Sequence, residues 1–212
     1  MIELKNLTIG YDEYMPVLKN INYTFEDNKI YGILGQSGYG KSTLLKTICG
    51  LLKPLNGQVL INNKPLIGAR ENNIYMMFQN YTCFDWLSCI DNILLAKKIK
   101  SNIVREDVNN ALKWLDKVGL LDKKENYPTE LSGGQKQRLA LARTLFMSPD
   151  IVLMDEPLSA LDENTRKDMQ DLIIQDHKQD KNIIIMITHS KEEAERVCDV
   201  IIDITKEKGF NN

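Results

Sequence analysis

Gly35-Gln36-Ser37-Gly38-Tyr39-Gly40-Lys41-Ser42 fits the pattern G-x-x-x-x-G-K-S without a gap, and its flanks decide how it is read. Upstream, Ile30-Tyr31-Gly32-Ile33-Leu34 is an apolar run of strand length. Downstream, Thr43-Leu44-Leu45-Lys46-Thr47-Ile48 has helical spacing. A strand, a glycine-rich loop and a helix in that order form a cradle for phosphate. The glycines let the backbone come close, and successive N–H groups point inward at the anion. The helix start adds its positive end, and Lys41 adds a full charge near the β- and γ-phosphates. Ser42 is placed to reach a magnesium ion. A glycine-rich turn with a stray lysine would not account for the strand before the loop or the helix after it. The stretch implies binding of a nucleoside triphosphate through Gly35, Ser37, Gly38, Gly40, Lys41, Ser42 and Thr43.

The rest of the composition narrows the class. A chain of 212 residues, 43% of them hydrophobic, is long enough for one large domain or a domain with a subdomain. The net charge of −2 lacks the basic footprint of a nucleic-acid binder, so no nucleic-acid partner is expected. Cys49, Cys83, Cys89 and Cys198 form no C-x-x-C pair, which favours free thiols in a reducing compartment over a metal site. The longest apolar runs, such as Ile183-Ile184-Ile185-Met186-Ile187, fall far short of the roughly 20 residues of a membrane span. Met1-Ile2-Glu3-Leu4-Lys5 has no signal-peptide layout, and an intracellular protein is expected.

Periodicity predicts strands over Leu4–Ile9, Ile21–Phe25, Ile30–Leu34, Gln58–Ile61 and Ile74–Phe78. From Cys89 to Val118 the pattern turns helical, and an inserted helical subdomain at about 85–145 is expected, with a break near Tyr127-Pro128. Ser132–Phe146, Leu161–Lys178 and Ser190–Val197 read as helices; Ile151–Met154, Asn182–Thr188 and Val200–Ile204 read as strands, with only a short polar tail behind. Strands alternating with helices argue an α/β fold with a mostly parallel sheet covered on both faces.

Ile151-Val152-Leu153-Met154-Asp155-Glu156 is an apolar strand that ends in two carboxylates. Such a strand is expected beside the strand of the phosphate loop, where Asp155 can hold magnesium and Glu156 can act as general base on the attacking water. Leu131-Ser132-Gly133-Gly134-Gln135 is the most discriminating element. Ser132 and Gln135 make an S-x-x-Q capping box, but a cap does not call for two glycines in a first helical turn. With its N–H groups uncovered, this end is a second candidate anion site.

These motifs resemble the ATP-binding subunits of ABC transporters, and the resemblance runs over nearly the whole chain. The phosphate loop is similar to Walker A, Ile151–Glu156 to Walker B, Leu131–Gln135 to the family signature, Ser159-Ala160-Leu161-Asp162 to the D-loop, Gln79 to the Q-loop and His189 to the switch histidine. The resemblance implies a P-loop NTPase core with an antiparallel β subdomain and a helical insertion, making a single ATP-binding domain over 1–212. It further implies ATP and Mg2+ as cofactors, with Ser42, Gln79 and Asp155 at the metal and Glu156, His189 and Gln79 as catalytic groups. Two subunits, a homodimer in the simplest case, would pack head to tail. Ser132, Gly133, Gly134 and Gln135 would then reach the partner's γ-phosphate, and Asp162 would lie at the same junction. A surface glutamine is the plain alternative for Gln79, and a structural or exposed histidine for His189. Ser190 with Glu193 predicts a capping box for the next helix. For adenine stacking, Tyr11, Tyr14 and simple packing all stay open.

Phe84-Asp85-Trp86-Leu87-Ser88-Cys89-Ile90-Asp91-Asn92-Ile93 is similar to the matching segment of nitrate, sulfonate and taurine importers, and Thr165-Arg166 and Glu192-Glu193-Ala194 fit that group. Phe84 and Trp86 either anchor a helix of a membrane permease or fill a local core. The resemblance implies a peripheral subunit on the cytoplasmic face of the cell membrane, working with transmembrane permease subunits and an extracytoplasmic solute-binding protein. An exporter or lipoprotein-release complex is the neighbouring alternative. ABC proteins acting on DNA or ribosomes, and nucleotide kinases, fit less well. The chain ends just after its last expected strand, unlike sugar and molybdate importers, so no C-terminal regulatory domain is expected.

Overall fold

The apolar run at 183–187 has no polar face to turn to water, so a strand built from it must be covered on both sides. In the computed structural model of the protein, which describes residues 1–80, 82–206 and 209–210, that run is the central strand of a sheet. The strands are β1 (Ile2–Ile9), β2 (Leu18–Phe25), β3 (Ile30–Leu34), β4 (Asn56–Ile61), β5 (Lys64–Pro65), β6 (Ile74–Met77), β7 (Ile151–Asp155), β8 (Ile183–Ile187) and β9 (Val200–Asp203). The helices are α1 (Lys41–Ile48), α2 (Cys89–Lys100), α3 (Arg105–Lys117), α4 (Gly133–Leu145), α5 (Glu163–Asp180) and α6 (Lys191–Val197). Five strands in the order β6-β7-β8-β3-β9 pair in parallel, and four in the order β2-β1-β4-β5 pair antiparallel.

The parallel sheet shares its side chains between two cores with the period of two that a strand dictates. Ile183, Ile185 and Ile187 of β8 join Ile151 and Leu153 of β7 in one core, with Leu44, Leu45 and Ile48 of α1 and the inner face of the antiparallel sheet. Ile184 and Met186 join Val152 and Met154 in the other, with residues of α2, α3, α4 and α5, including Trp114. The register aligns the strand ends. Ile33 stands opposite Ile187, and Ile187 stands opposite Asp155, so β3, β8 and β7 end in one row.

The expected place of the acid-ended strand needs correction: β7 does not lie beside β3, because β8 is interposed and pairs with both. β7 and β8 are both buried along their whole length, so apolarity alone does not tell which of them takes the centre. Smaller differences have local causes. β1 starts at Ile2 rather than Leu4, because Ile2 pairs with both Phe25 and Ile61. The helical pattern at 89–118 divides into α2 and α3 around Ser101. The helix α5 begins at Glu163, since Asp162 is its cap and accepts the Thr165 N–H at 3.1 Å. The short β5 was not expected. The segment after β9 is more than a polar tail: Phe210 is buried, its ring 5.9 Å from that of Tyr23. Residues 207, 208, 211 and 212 of that tail lie outside the described residues. The cysteines are free, and burial pushes the thiols of Cys49 and Cys89 up to about 11 and that of Cys198 up to about 12.

Asp176, on the buried side of α5, is a buried carboxyl that no site uses. Burial, with Asp180 adding to it, pushes its carboxyl up to about 7 against the opposing pull of Lys117 and Asn182, and Oδ2 has no hydrogen-bond partner among the described residues. The folded chain therefore binds this proton more tightly than the unfolded chain, whose value is near 3.8. The associated stability is complete below that value and is lost as pH rises through about 7. Asp176→Asn stays neutral at every pH, so its Tm should exceed the parent's by a few degrees at about pH 8 and by little at about pH 4. Thermal unfolding at the two pH values checks this, and equal shifts at both would overturn it.

Candidate active site

The common row in which β3, β8 and β7 end opens into a cleft of about 300 Å³, lined by Tyr11, Val17, residues 37, 38 and 40–43 of the loop and the start of α1, Gln79, Glu156 and His189. This is the edge of a parallel sheet where ligands are generally bound. The loop is held in shape by two glycines with left-handed backbones, Gly38 at φ +84° and Gly40 at φ +86°. A Cβ on Gly40 would come within 2.5 Å of Val17 Cγ1, whereas no described atom lies within 4 Å of one on Gly38. Lys41 opens α1 with its side chain buried, and its ammonium donates to the carbonyls of Gly35 at 2.6 Å and Gln36 at 2.8 Å. Burial lowers its pKa, while Glu156 and Asp155 pull it back up.

Asp155 closes β7 beneath the loop and is buried. Burial raises its pKa; the Ser42 hydroxyl, Lys46 and Lys41 pull it down and Glu156 pushes it further up. Its Oδ1 has no hydrogen-bond partner among the described residues. A buried carboxylate oxygen left without a donor, beside a hydroxyl, is a fitting seat for a hard dication. Among the described residues no three His, Cys, Asp or Glu side chains converge as a ready metal cluster. The donor set therefore suits Mg2+, which takes one or two protein ligands and completes its shell with phosphate and water.

Glu156 is the most constrained residue of the site. Its φ of +52° is in the left-handed region without being glycine, a conformation costing roughly 1–3 kcal/mol that persists only when its surroundings impose it. Here they do. The backbone N–H donates to Ile187 O at 3.1 Å, and the carbonyl accepts from Ser159 Oγ at 3.2 Å and Gln137 Nε2 at 3.1 Å. The carboxylate lies between two side chains, with Oε1 2.6 Å from His189 Nε2 and Oε2 accepting from Gln79 Nε2 at 3.1 Å. His189 follows β8, so the interposed strand is what delivers it to Glu156.

The structure thus gathers Tyr11, Ser37, Gly38, Gly40, Lys41, Ser42, Thr43, Gln79, Glu156 and His189 around the cleft, with Gly35 holding the lysine and Asp155 below. Of the two candidate tyrosines, Tyr11 lines the cleft and its hydroxyl accepts from Lys46 Nζ at 3.3 Å; Tyr14 is 93% exposed and does not.

Ser132, Gly133, Gly134, Gln135 and Asp162 do not line the cleft. Ser132 and Gln135 form the reciprocal capping box, with Gln135 N–H donating to Ser132 Oγ at 3.3 Å and Ser132 N–H to Gln135 Oε1 at 2.9 Å. Gly134 has a packing reason, since a Cβ there would lie 3.2 Å from Ala160 O. Gly133 has none, with no described atom within 4 Å of its Cβ position.

Ser190 accepts the Glu193 N–H at 3.1 Å, but the expected reciprocal box fails. Glu193 Oε2 instead accepts a hydrogen bond from the Thr188 hydroxyl at 2.6 Å, and the Ser190 N–H donates to Thr188 Oγ1 at 3.1 Å. Trp86 is no local core: it is 73% exposed, edge-on to Phe84, which is in turn faced by Arg143. Sequence reasoning missed Gln137, whose only signal is a polar residue on the apolar face of its helix.

The family model described as ABC transporter matches residues 18–159. An uncharacterised ABC transporter ATP-binding protein of Methanocaldococcus jannaschii is 35% identical, covering 98% of this chain and 79% of the relative. A taurine import ATP-binding protein of Roseobacter denitrificans is 36% identical over 91% of this chain and 73% of its own length. A nitrate import ATP-binding protein of Synechocystis is 38% identical over 91% and 72%. Among solved structures, a dimeric ATP-binding cassette in a post-hydrolysis state, bound to ADP and Pi, superposes with a TM-score of 0.86 at 30% identity, covering 96% of this chain and 94% of that one. The fold is that of a P-loop NTPase.

The two loop glycines give a graded prediction. Gly38→Ala should lose about 1–2 kcal/mol from its left-handed backbone alone. Gly40→Ala should lose more, because the new methyl also meets Val17. Urea unfolding of both variants checks the order, and equal losses would show that Val17 yields freely.

Proposed function

The chain belongs to the ABC transporter family as an ATP-binding subunit, and from that premise we propose that it is the ATP-hydrolysing motor of an importer for a small solute. Its ATPase assignment follows from the family. The observation that carries the catalytic reading is the carboxylate of Glu156, clamped between Gln79 and His189 at the mouth of the phosphate cleft. In this reading 1–212 is one ATP-binding domain with a helical insertion at about 85–145.

Lys41 and the loop N–H groups, with Gly35, Ser37, Gly38, Gly40 and Thr43, hold the phosphates, and Tyr11 stacks on the adenine. Glu156 orients the attacking water and accepts its proton. His189 and Gln79 keep the carboxylate aimed and face the γ-phosphate. Asp155 and Ser42, with Gln79, would hold Mg2+, which when bound neutralises charge between the β- and γ-phosphates. Two chains pair head to tail, and Ser132, Gly133, Gly134, Gln135 and Asp162 of one complete the cleft of the other. That placement accounts for their standing away from their own cleft and for the unpacked Gly133. Closure on ATP and reopening after hydrolysis would drive a separate permease.

The import direction is supported by the taurine and nitrate import relatives. The exposed Trp86 supports a permease helix docking beside Phe84. Among the described residues no helix is long and apolar enough to cross a membrane, so the assignment to the cytoplasmic face rests on that docking. A solute-binding protein outside the membrane completes the proposed machine.

Glu156→Gln should bind ATP with affinity changed by no more than a few-fold and lose turnover by about 100-fold or more. Steady-state phosphate release and equilibrium nucleotide binding check this; wild-type turnover would remove Glu156 as the base. For the direction of transport, the tagged chain can be pulled down from membranes in mild detergent and its partners identified by mass spectrometry. A small multi-span permease with a solute-binding protein is expected. A permease carrying a large extracytoplasmic domain would move the assignment to export or lipoprotein release.

A further inference from the structure

Gln137 is fully buried in α4, and its amide is used at both ends. Nε2 donates to the Glu156 carbonyl at 3.1 Å, and Oε1 accepts the Ala160 N–H at 2.9 Å. The two partners are unlike, one an acceptor and one a donor, which an amide satisfies and which neither an apolar side chain nor a carboxylate can. The start of the same helix is pressed against the same loop, since a Cβ on Gly134 would lie 3.2 Å from Ala160 O and 3.3 Å from Leu161 Cδ2. The L-S-G-G-Q end of α4, the 159–162 loop and the backbone of Glu156 are therefore tied into one body. Glu156 needs that tie, because its left-handed φ of +52° has to be imposed from outside.

We propose that Gln137 is a positioning residue for hydrolysis, which carries the seating of its helix end on the partner's nucleotide to the carboxylate of Glu156 in its own cleft. The inference rests on the proposed roles of Glu156 as base and of Ser132–Gly134 as contacts made in trans. Gln137 itself does not line the cleft, so it has no direct hold on ATP. Removing its amide leaves the Glu156 carbonyl with only the hydroxyl and a long contact from the backbone N–H of Ser159, and the Ala160 N–H loses the Gln137 acceptor. The carboxylate then loses its aim while the phosphate loop keeps its grip. One amide would in this way make hydrolysis at one cleft depend on the helix that reaches into the other.

Gln137→Met keeps the buried volume and removes both polar ends. In the purified full chain, kcat should fall roughly 10- to 100-fold, while KM for ATP stays within about twofold and Tm confirms a folded protein. Gln137→Glu, which keeps an acceptor for Ala160 but turns an oxygen toward the Glu156 carbonyl, should show the same split; it serves if the methionine variant does not fold. The discriminating measurement is a double-mutant cycle in single-turnover hydrolysis. If Gln137 acts through Glu156, adding Gln137→Met to Glu156→Gln costs nothing further. Additive losses, or a full kcat in both Gln137 variants, would overturn the proposal. Unimpaired turnover by Glu156→Gln alone would instead sink the reading of Glu156 on which it rests, so the two failures are told apart.

Discussion

The chemical centre of the site depends on the parallel pairing of β3, β8 and β7 in a register that ends all three strands in one row. Parallel strands point their carboxyl ends the same way, so whatever residue comes after each strand arrives at a common edge. Here those residues are the glycine loop after β3, Thr188 and His189 after β8, and Asp155 and Glu156 at the end of β7. None of the three segments needs a long excursion to reach the others. A register slip would carry one group away from the edge and also exchange the two faces of a strand whose side chains serve different cores.

That double duty explains why the sheet can be so rigid. The face carrying Ile183, Ile185 and Ile187 is sealed by α1 and the antiparallel sheet, and the face carrying Ile184 and Met186 by the remaining helices. Buried close-packed layers on both sides resist small displacements. A strained backbone at Glu156 can be held there because its neighbours are the end of β8, the buried amide of Gln137 and the turn at Ser159, all anchored in those layers. Polar groups at the edge are correspondingly few and nearly all engaged. Two carboxylate oxygens there have no hydrogen-bond partner among the described residues, Glu193 Oε1 and Asp155 Oδ1, and the second lies where a cation fits.

Much of this could be read from the chain alone, and the failures share a pattern. The phosphate loop was readable because its glycines, lysine and serine act through local spacing, and Ser132 and Gln135 because a helix cap is local too. What depended on spatial neighbours was not. Nothing in the equally apolar β7 and β8 says which one lies next to β3. Ser190 and Glu193 have the spacing of a capping box, yet Thr188 takes the glutamate, a competition visible only when β8 and α6 are in place. No glycine marks the left-handed backbone at Glu156, since the surroundings rather than the residue impose it. Gln137 looked like one more polar residue on a helix, and Phe210 like part of a tail, until their partners across the fold were known.

The chain has two tryptophans, and the fold treats them oppositely. Trp114 is buried in the core on the helical side, with Lys117 Nζ 4.2 Å from its ring, while Trp86 is mostly exposed to water beside Phe84. Its intrinsic emission is therefore the sum of one sheltered indole and one wet indole. The sheltered one reads the integrity of the core, and the wet one reads whatever covers that corner of the surface. The molecule thus carries its own optical reference alongside its own optical reporter, with no label added.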